Sequence, residues 1–255
     1  MNKRAIRESF DCAAAGYDSV AGLQRQVCEL LVAATPTLPA PTLATTILDA
    51  GCGTGYGLRL LAARWPAARL VAADFACGML KNTEGERICA DIEALPLPAN
   101  TFDLYWSSLS IQWCDTQRAI AEAARVIRPG GVLAVSSLGT GTLTELNNAF
   151  AGVDQHRHVL EFAPDKAMAE ACAAAGLRNV RLTTRSIRHF HPDLKALLRT
   201  LKSLGANQVG TNRRPGLLGR RVWQGVEARY ESLREADGLP ATYEVILCTA
   251  SKRTL

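Results

Sequence analysis

The stretch LDAGCGTGYG, Leu48 to Gly57, sets one carboxylate, Asp49, just ahead of four glycines at alternate positions: Gly51, Gly53, Gly55 and Gly57. A dinucleotide site wants G-x-G-x-x-G, its third glycine letting helix and strand pack closely. Here that position holds Tyr56, or Leu58 if counting starts at Gly53. A phosphate-binding loop of the Walker type fails too, because no Gly-Lys-Ser/Thr follows. The loop therefore admits a flat, uncharged or zwitterionic group close to its backbone. Asp49 would repel a pyrophosphate and attract an ammonium. Asp74 closes RLVAAD roughly 20 residues after the loop, where a ribose diol is held in nucleotide folds. Asp91 closes RICAD and is followed by Ile92. The order is ammonium, ribose, base, with no phosphate. A tight turn is the structural alternative for the glycines, and a helix N-cap for Asp74 and Asp91.

Elements that could position these residues alternate along the chain. Apolar residues at helical spacing (Ile6, Phe10, Ala13, Ala14, Tyr17, then Leu23, Val27, Leu30, Leu31) predict two helices over about residues 4–34. A Pro/Thr-rich connector ends them. TTILDA, RLVAAD, RICAD, FDLYWSS and GVLAVSSL then read as strands. GYGLRLLAARW, FACGMLKNT and TQRAIAEAARVI read as helices between them. Such alternation predicts an α/β fold with a parallel, doubly wound sheet covered on both faces. NVRLTTRSIRHF and TYEVILCTAS read as two later strands, separated by a basic, helix-prone insertion at 193–238.

At 255 residues with 48% apolar content, a single domain with a sizeable core is expected. Its expected parts are a helical N-terminal cover (1–36), a ligand-binding core (45–137) and the insertion. No apolar run has the length of a membrane span, and the N-terminus, with acids among its basic residues, does not read as a secretory signal. The eight cysteines are scattered, with neither CxxC nor metal-ligand spacing, so reduced thiols are expected, with no disulfide and no metal, in a cytoplasmic chain. Net charge is +5, yet residues 178–234 carry thirteen Lys/Arg against three acids, leaving −5 elsewhere. That stretch is either a solvated face or a docking surface for an acidic partner.

Ammonium, ribose and adenine without phosphate suit S-adenosylmethionine, and the motifs agree. LDAGCGTG, VAAD, CADIEALPLPANTFDLYWSS and RVIRPGGVLAVSS, in this order, resemble the class I S-adenosylmethionine-dependent methyltransferases across residues 45–137. The resemblance implies a Rossmann-like, mostly parallel sheet of seven strands, the last antiparallel. It implies that Asp49 and the Gly51, Gly53 and Gly55 backbone face the methionine part and that Asp74 holds the ribose hydroxyls. Asp91 and Ile92 would flank the adenine, Phe75 or Met79 would supply an apolar wall, and Ser107 would belong to the same site.

The flanks AAAGYDSVAGLQRQV, SLSIQWCDT and LLRTLKSLGANQV, with the late TYEVILCTASK, are similar to the malonyl-acyl carrier protein O-methyltransferases of biotin synthesis. This implies transfer of a methyl group to the free malonyl carboxylate. A carboxylate is ionised at neutral pH, so its esterification needs alignment and dryness rather than a strong base. Arg157, in DQHRHVLEF, is a candidate for holding that carboxylate through its planar fork, with His156 beside it. Tyr17 is expected at the cofactor or the acceptor, with core packing as the alternative. Gln112 and Trp113 are expected to line the acceptor pocket, though Trp113 also suits a core. Acyl carrier proteins are acidic, so Arg185, Arg188, Lys195, Arg199, Lys202, Arg213, Arg214, Arg220 and Arg221 are candidates for steering their docking. A quinone or small carboxylic acid is the alternative acceptor. An RNA partner on the basic stretch is disfavoured because only Trp223 and Tyr230 are aromatic within the insertion, so neither nucleic acid nor membrane is expected as a partner.

Overall fold

The computed structural model describes residues 2–38, 45–206, 216 and 218–254. Three helices lead: α1 (Lys3–Ala13), α2 (Tyr17–Val20) and α3 (Gly22–Ala34). The periodicity predicted two; the chain breaks at Ala14–Gly16, so Tyr17 opens a separate short turn. The core then runs β1 (Thr46–Ala50), α4 (Tyr56–Arg64), β2 (Arg69–Asp74), β3 (Glu86–Cys89), β4 (Phe102–Ser107), α5 (Thr116–Val126) and β5 (Ile127–Leu138). The expected helix in FACGMLKNT is a single 3-10 turn, Met79–Asn82. Then come α6 (Thr144–Phe150), α7 (Asp165–Ala174), β6 (Leu177–His191), α8 (Leu194–Ser203), α9 (Arg220–Glu231) and β7 (Leu239–Lys252).

The seven strands form one sheet in the order β3-β2-β1-β4-β5-β7-β6, parallel except for β7, which is antiparallel to both neighbours. Successive strand residues point to opposite faces, and both faces are apolar here. Ile47, Leu104, Trp106 and Val132 join one core with Leu23, Val27 and Leu31 of α3 and Leu61 of α4. Leu48, Tyr105, Leu133 and Val135 join the other, with Ile120 and Ala123 of α5. This double burial is why the parallel strands read as apolar runs. Strand order reverses between β1 and β4, and at such a switch point the carboxyl ends of the strands leave a crevice.

One expectation is corrected. Cys77 and Cys89 form a disulfide, their Cα atoms 5.5 Å apart. Spacing hid it because β3 pairs alongside β2, with Cys89 opposite Asp74, so the turn after β2 carries Cys77 back to the end of β3. The other six cysteines are free thiols.

Gly57, in the first turn of α4, is where the fold tolerates no side chain. A Cβ there would lie 2.5 Å from Trp106 Cζ3 and 2.9 Å from Asp49 Oδ2. Gly57→Ala is therefore expected to destabilise the fold by about 1–3 kcal/mol through overpacking, read by denaturant unfolding. An unchanged midpoint would show that Trp106 yields freely.

Candidate active site

The loop after β1 is built by backbone sign. Gly51, Gly53 and Gly55 all have positive φ (75°, 54° and 88°), conformations that a side chain strains. A Cβ on Gly51 would collide with Ser110, whose hydroxyl donates to the Gly51 carbonyl at 3.1 Å. A Cβ on Gly53 would meet no protein atom within 4 Å, so this glycine leaves open space beside the loop. Gly55 shapes the turn into α4 but lines none of the cavities described below.

Three cavities adjoin at Tyr17, the first two over this loop. The first, of about 610 Å³, is lined by Gly51, Gly53, Asp74, Phe75, Met79, Asp91, Ile92 and Ser108, with Lys3, Phe10 and Tyr17 reaching in from the N-terminal helices. The second, about 450 Å³, lies at the inner end of the loop and is lined by Asp49, Gly51, Gly53, Trp106 and Ser108, facing Tyr17, Gln24, Arg25 and Cys28. The third, about 920 Å³, opens outward between Gln112, Trp113, Leu143, Leu146, His158, His189, His191 and Tyr243. Tyr17 lines all three. Burial raises its phenol pKa, so it stays a neutral donor.

Asp49 is the electrostatic centre of the inner cavity. It is 1% exposed, and neither carboxylate oxygen has a hydrogen-bond partner. Burial, reinforced by Asp74, pushes its pKa well above the ordinary value. A buried carboxylate lacking donors is costly, and an ammonium is the group that would relieve it. Asp74 is differently placed: its oxygens accept from Gly53 N at 2.9 Å and Ala76 N at 2.8 Å. Burial nevertheless pushes its pKa up to about 6. Asp91 stands at the cavity rim, accepting from Glu93 N at 3.0 Å and pairing with Lys3 Nζ at 2.5 Å. An ammonium-accepting inner end, then a carboxylate over open space, then an apolar wall of Phe75, Met79 and Ile92 fit S-adenosylmethionine.

The structure brings together most of the site residues singled out from sequence, with four exceptions: Gly55, which lines none of the three cavities, and Ser107, His156 and Arg157. Ser107 is fully buried in the sheet with an unpartnered hydroxyl; its neighbour Ser108 lines the first two cavities. His156 and Arg157 do not reach the outer cavity. They open onto a separate surface hollow with Thr140, Thr144 and Asn147, and the Arg157 guanidinium lies 2.6 Å from Glu161. Asp154 causes this: it accepts from His156 N at 2.8 Å and holds the His158 ring nitrogen at 3.0 Å. That fold of the loop turns His158 inward, stacked on Phe150 at 4.1 Å. Gln112 and Trp113 do line the outer cavity, and Trp113 packs edge-on against Phe10 at 5.6 Å.

Sequence reading missed Lys3, Phe10, Gln24, Arg25, Ser108 and the histidines of β6, His189 and His191. It also missed Leu109, held at φ +50° by its own N–H to Ser136 Oγ (3.0 Å) and its carbonyl to Gln112 Nε2 (2.6 Å). A non-glycine residue in that region marks a site where structure overrides preference. Of the basic candidates, Arg185, Arg188, Lys195, Arg199, Lys202, Arg220 and Arg221 are exposed. Arg188 pairs with Glu235, and Lys195 with Glu227 at 3.1 Å. Arg213 and Arg214 lie outside the described residues. Among the described residues no helix is long and apolar enough to cross a membrane, and no cluster of His, Cys, Asp or Glu could hold a metal ion.

This fold and site define a methyltransferase of class I architecture. Residues 48–135 match the model described as a methyltransferase domain. A chain in the complex between the Haloferax volcanii Trm112 methyltransferase activator and the putative methyltransferase superposes with a TM-score of 0.59, at 19% identity over 96% of this chain and 97% of that one. The malonyl-acyl carrier protein O-methyltransferase of Dechloromonas aromatica is 45% identical, covering 98% of this chain and 95% of the relative. That of Herminiimonas arsenicoxydans is 42% identical, covering 99% and 97%. The chain belongs to the malonyl-acyl carrier protein O-methyltransferase family.

Two outcomes test the carboxylates. Asp49→Asn is expected to weaken binding of S-adenosylhomocysteine by about 2–5 kcal/mol, read by calorimetry, while raising the melting temperature of the ligand-free chain. For Asp74, whose folded pKa is raised, the stabilising proton is present below the unfolded value of 3.8 and lost as pH rises through about 6. Between about pH 4 and pH 7 the ligand-free chain should lose up to ~3 kcal/mol relative to Asp74→Asn. A stability difference that stays constant across that range would contradict the burial of the charge.

Proposed function

We propose that this chain transfers the methyl group of S-adenosylmethionine to the free carboxylate of malonyl-acyl carrier protein, giving the methyl ester that starts the pimeloyl chain of biotin. The observation that carries this reading is Asp49: a buried, unpartnered carboxylate at the inner end of a glycine loop, joined through Tyr17 to a large outer cavity. When bound, the donor supplies a methyl group on a positively charged sulfur. Asp49 would hold its ammonium, Arg25 its carboxylate, Asp74 its ribose hydroxyls, and Asp91, Ile92, Phe75 and Met79 the adenine.

The acceptor side follows from charge. No Lys, Arg, Asp or Glu lines the outer cavity among the described residues. Burial lowers the pKa of His189 and His191, and the ring nitrogen of the third histidine, His158, is already held by Asp154 at 3.0 Å. Transfer from a cationic sulfur to a carboxylate removes both charges, so a weakly polar enclosure favours it over water. The chain's own work is to align the two partners, to exclude water with Phe10, Leu109 and Trp113, and to leave the carboxylate oxygen unprotonated. No side chain needs to move a proton. The apolar walls also suit a neutral ester product.

The exposed cations of β6, α8 and α9, Arg185, Arg188, Lys195, Arg199, Lys202, Arg220 and Arg221, lie outside that cavity and would steer an acidic carrier toward it. With Arg213 and Arg214 they make up the basic candidates. The residues 1–36 would serve as the cover of the cofactor, and 193–238 as the docking insertion.

The deciding experiment is methyl transfer from labelled S-adenosylmethionine to malonyl-acyl carrier protein, with acetyl-acyl carrier protein alongside, followed by intact mass. One methyl on the malonyl form alone is the expected result. No gain on either, with cofactor binding intact, would remove the acceptor assignment. Reversing Arg220 and Arg221 to Glu should raise KM for the carrier-borne substrate several-fold at low salt, with the difference shrinking as ionic strength rises.

A further inference from the structure

Among the described residues no Lys or Arg lines the outer cavity, which points to neutral donors, placed where the cavities join, for the acceptor carboxylate. Only a few polar side chains stand there. Gln112 is committed, its Nε2 donating to the Leu109 carbonyl at 2.6 Å, which leaves a buried, unpartnered Oε1. An acceptor atom repels a carboxylate, so Gln112 suits an N–H of the incoming arm instead. His191 lies among Thr200, Leu201 and Leu204 of the same cavity, and neither it nor His189 reaches the two donor-side cavities.

Gln24 is different. It sits in the first turn of α3, next to Leu23, which enters the core. It lines both the inner cavity that holds Asp49 and the outer cavity, a position it shares only with Tyr17. Its Oε1 is buried and has no hydrogen-bond partner. Buried polar atoms are satisfied as a rule, so one left open at the meeting of two cavities marks a place for a ligand group. The terminal amide rotates about a soft, two-fold torsion and presents its NH2 to the same space. The donor's own carboxylate has another partner available: Arg25 lines the inner cavity, where its guanidinium donates to the Asp18 carbonyl at 2.7 Å.

Resting on the reading above, we propose that Gln24 binds the acceptor carboxylate through its side-chain amide, turning one oxygen toward the methyl group and selecting an acyl chain that ends in a carboxylate. A neutral amide orients the anion without matching its charge, so the nucleophilic lone pairs are not drawn into an ion pair. A cation at position 24 would bind the carboxylate more tightly and make it a weaker nucleophile.

The test compares the full chain with Gln24→Met, which keeps length and removes the donors, and Gln24→Glu, which adds a like charge. Each is assayed for transfer to malonyl- and glutaryl-acyl carrier protein, and for S-adenosylhomocysteine binding by calorimetry. Gln24→Met is expected to lose about 10- to 100-fold in kcat/KM on the malonyl carrier, with S-adenosylhomocysteine affinity within threefold and a narrowed preference for malonyl over glutaryl. Gln24→Glu should be worse near neutral pH and recover as pH falls, because a protonated Glu donates again; a purely structural defect would not recover. Wild-type activity with both variants unimpaired overturns the role of Gln24 alone. A loss of cofactor affinity matching the loss of kcat/KM also overturns it, by assigning Gln24 to the donor. Wild type that binds cofactor yet methylates no malonyl carrier overturns the acceptor reading and this proposal with it.

Discussion

Burying a carboxylate with no partner is among the least favourable things a fold can do, and this fold does it with Asp49 at its centre. The side chain lies near the carboxyl end of β1, an interior strand flanked by β2 and β4, where neighbouring strands exclude water from the sides. Gly57 must lack a side chain so that Asp49 and Trp106 can approach α4. Positive φ at Gly51 and Gly53 turns the loop away from the carboxylate instead of across it. Above, α2 and α3 close the inner cavity with Tyr17, Gln24 and Cys28. The stability this costs is recovered from apolar burial on both faces of the sheet, remote from the crevice.

The same division of charge runs through the acceptor side. Cations are dense on the outer surface of β6, α8 and α9 and absent from the lining of the outer cavity among the described residues. On the proposed docking, cations outside would act over the approach distance of an acidic partner, where screening by salt limits them. A cation inside would act at contact, and would hold a carboxylate in its ground state more firmly than in a transition state whose charge is disappearing. Attraction at the surface and neutrality within are thus two parts of one arrangement, and moving Arg157 from the surface hollow into the cavity would defeat it.

How much of this was legible in the sequence follows from range. Strands such as β1, β2, β4 and the later part of β5 were readable because each is a short apolar run between turn signals, whereas β6 is long, basic and largely exposed. The glycine loop was readable because positive φ leaves a residue-type signature. Asp49, Asp74, Asp91 and Ile92 followed from their places at strand ends, which a parallel sheet aligns. What was not legible depends on contacts between distant segments. Gln24 and Phe10 carry no local sign of function; only the packing of the N-terminal helices over the loop gives them one. The Cys77–Cys89 bond needed the register of β3 against β2. Arg157 was chosen for its chemistry; the contacts of Asp154 in that loop go with Arg157 on the surface hollow beside Glu161 and His158 at the outer cavity.

The cover over the site is held by a different kind of force from the sheet beneath it. Lys3 pairs with Asp91 at 2.5 Å and Glu93 at 2.6 Å, and Asp11 accepts from Gly78 N at 2.6 Å, so α1 is tied across the mouth of the first cavity by polar contacts. About a third of the Lys3 side chain is exposed, and exposed ion pairs contribute only ~0–1 kcal/mol each. Its apolar anchors are Ile6, which is buried, and Phe10 and Ala13, which pack on the small cluster of Ala14, Ala76 and Met79, with Phe10 also against Trp113. A segment so attached opens at small cost compared with the sheet. On the proposed reading a donor would lie beneath Phe10 and Tyr17, and its exchange for product would call for α1 to move aside. Weak attachment of the cover would then serve exchange, and burial beneath it would keep Asp49 dry.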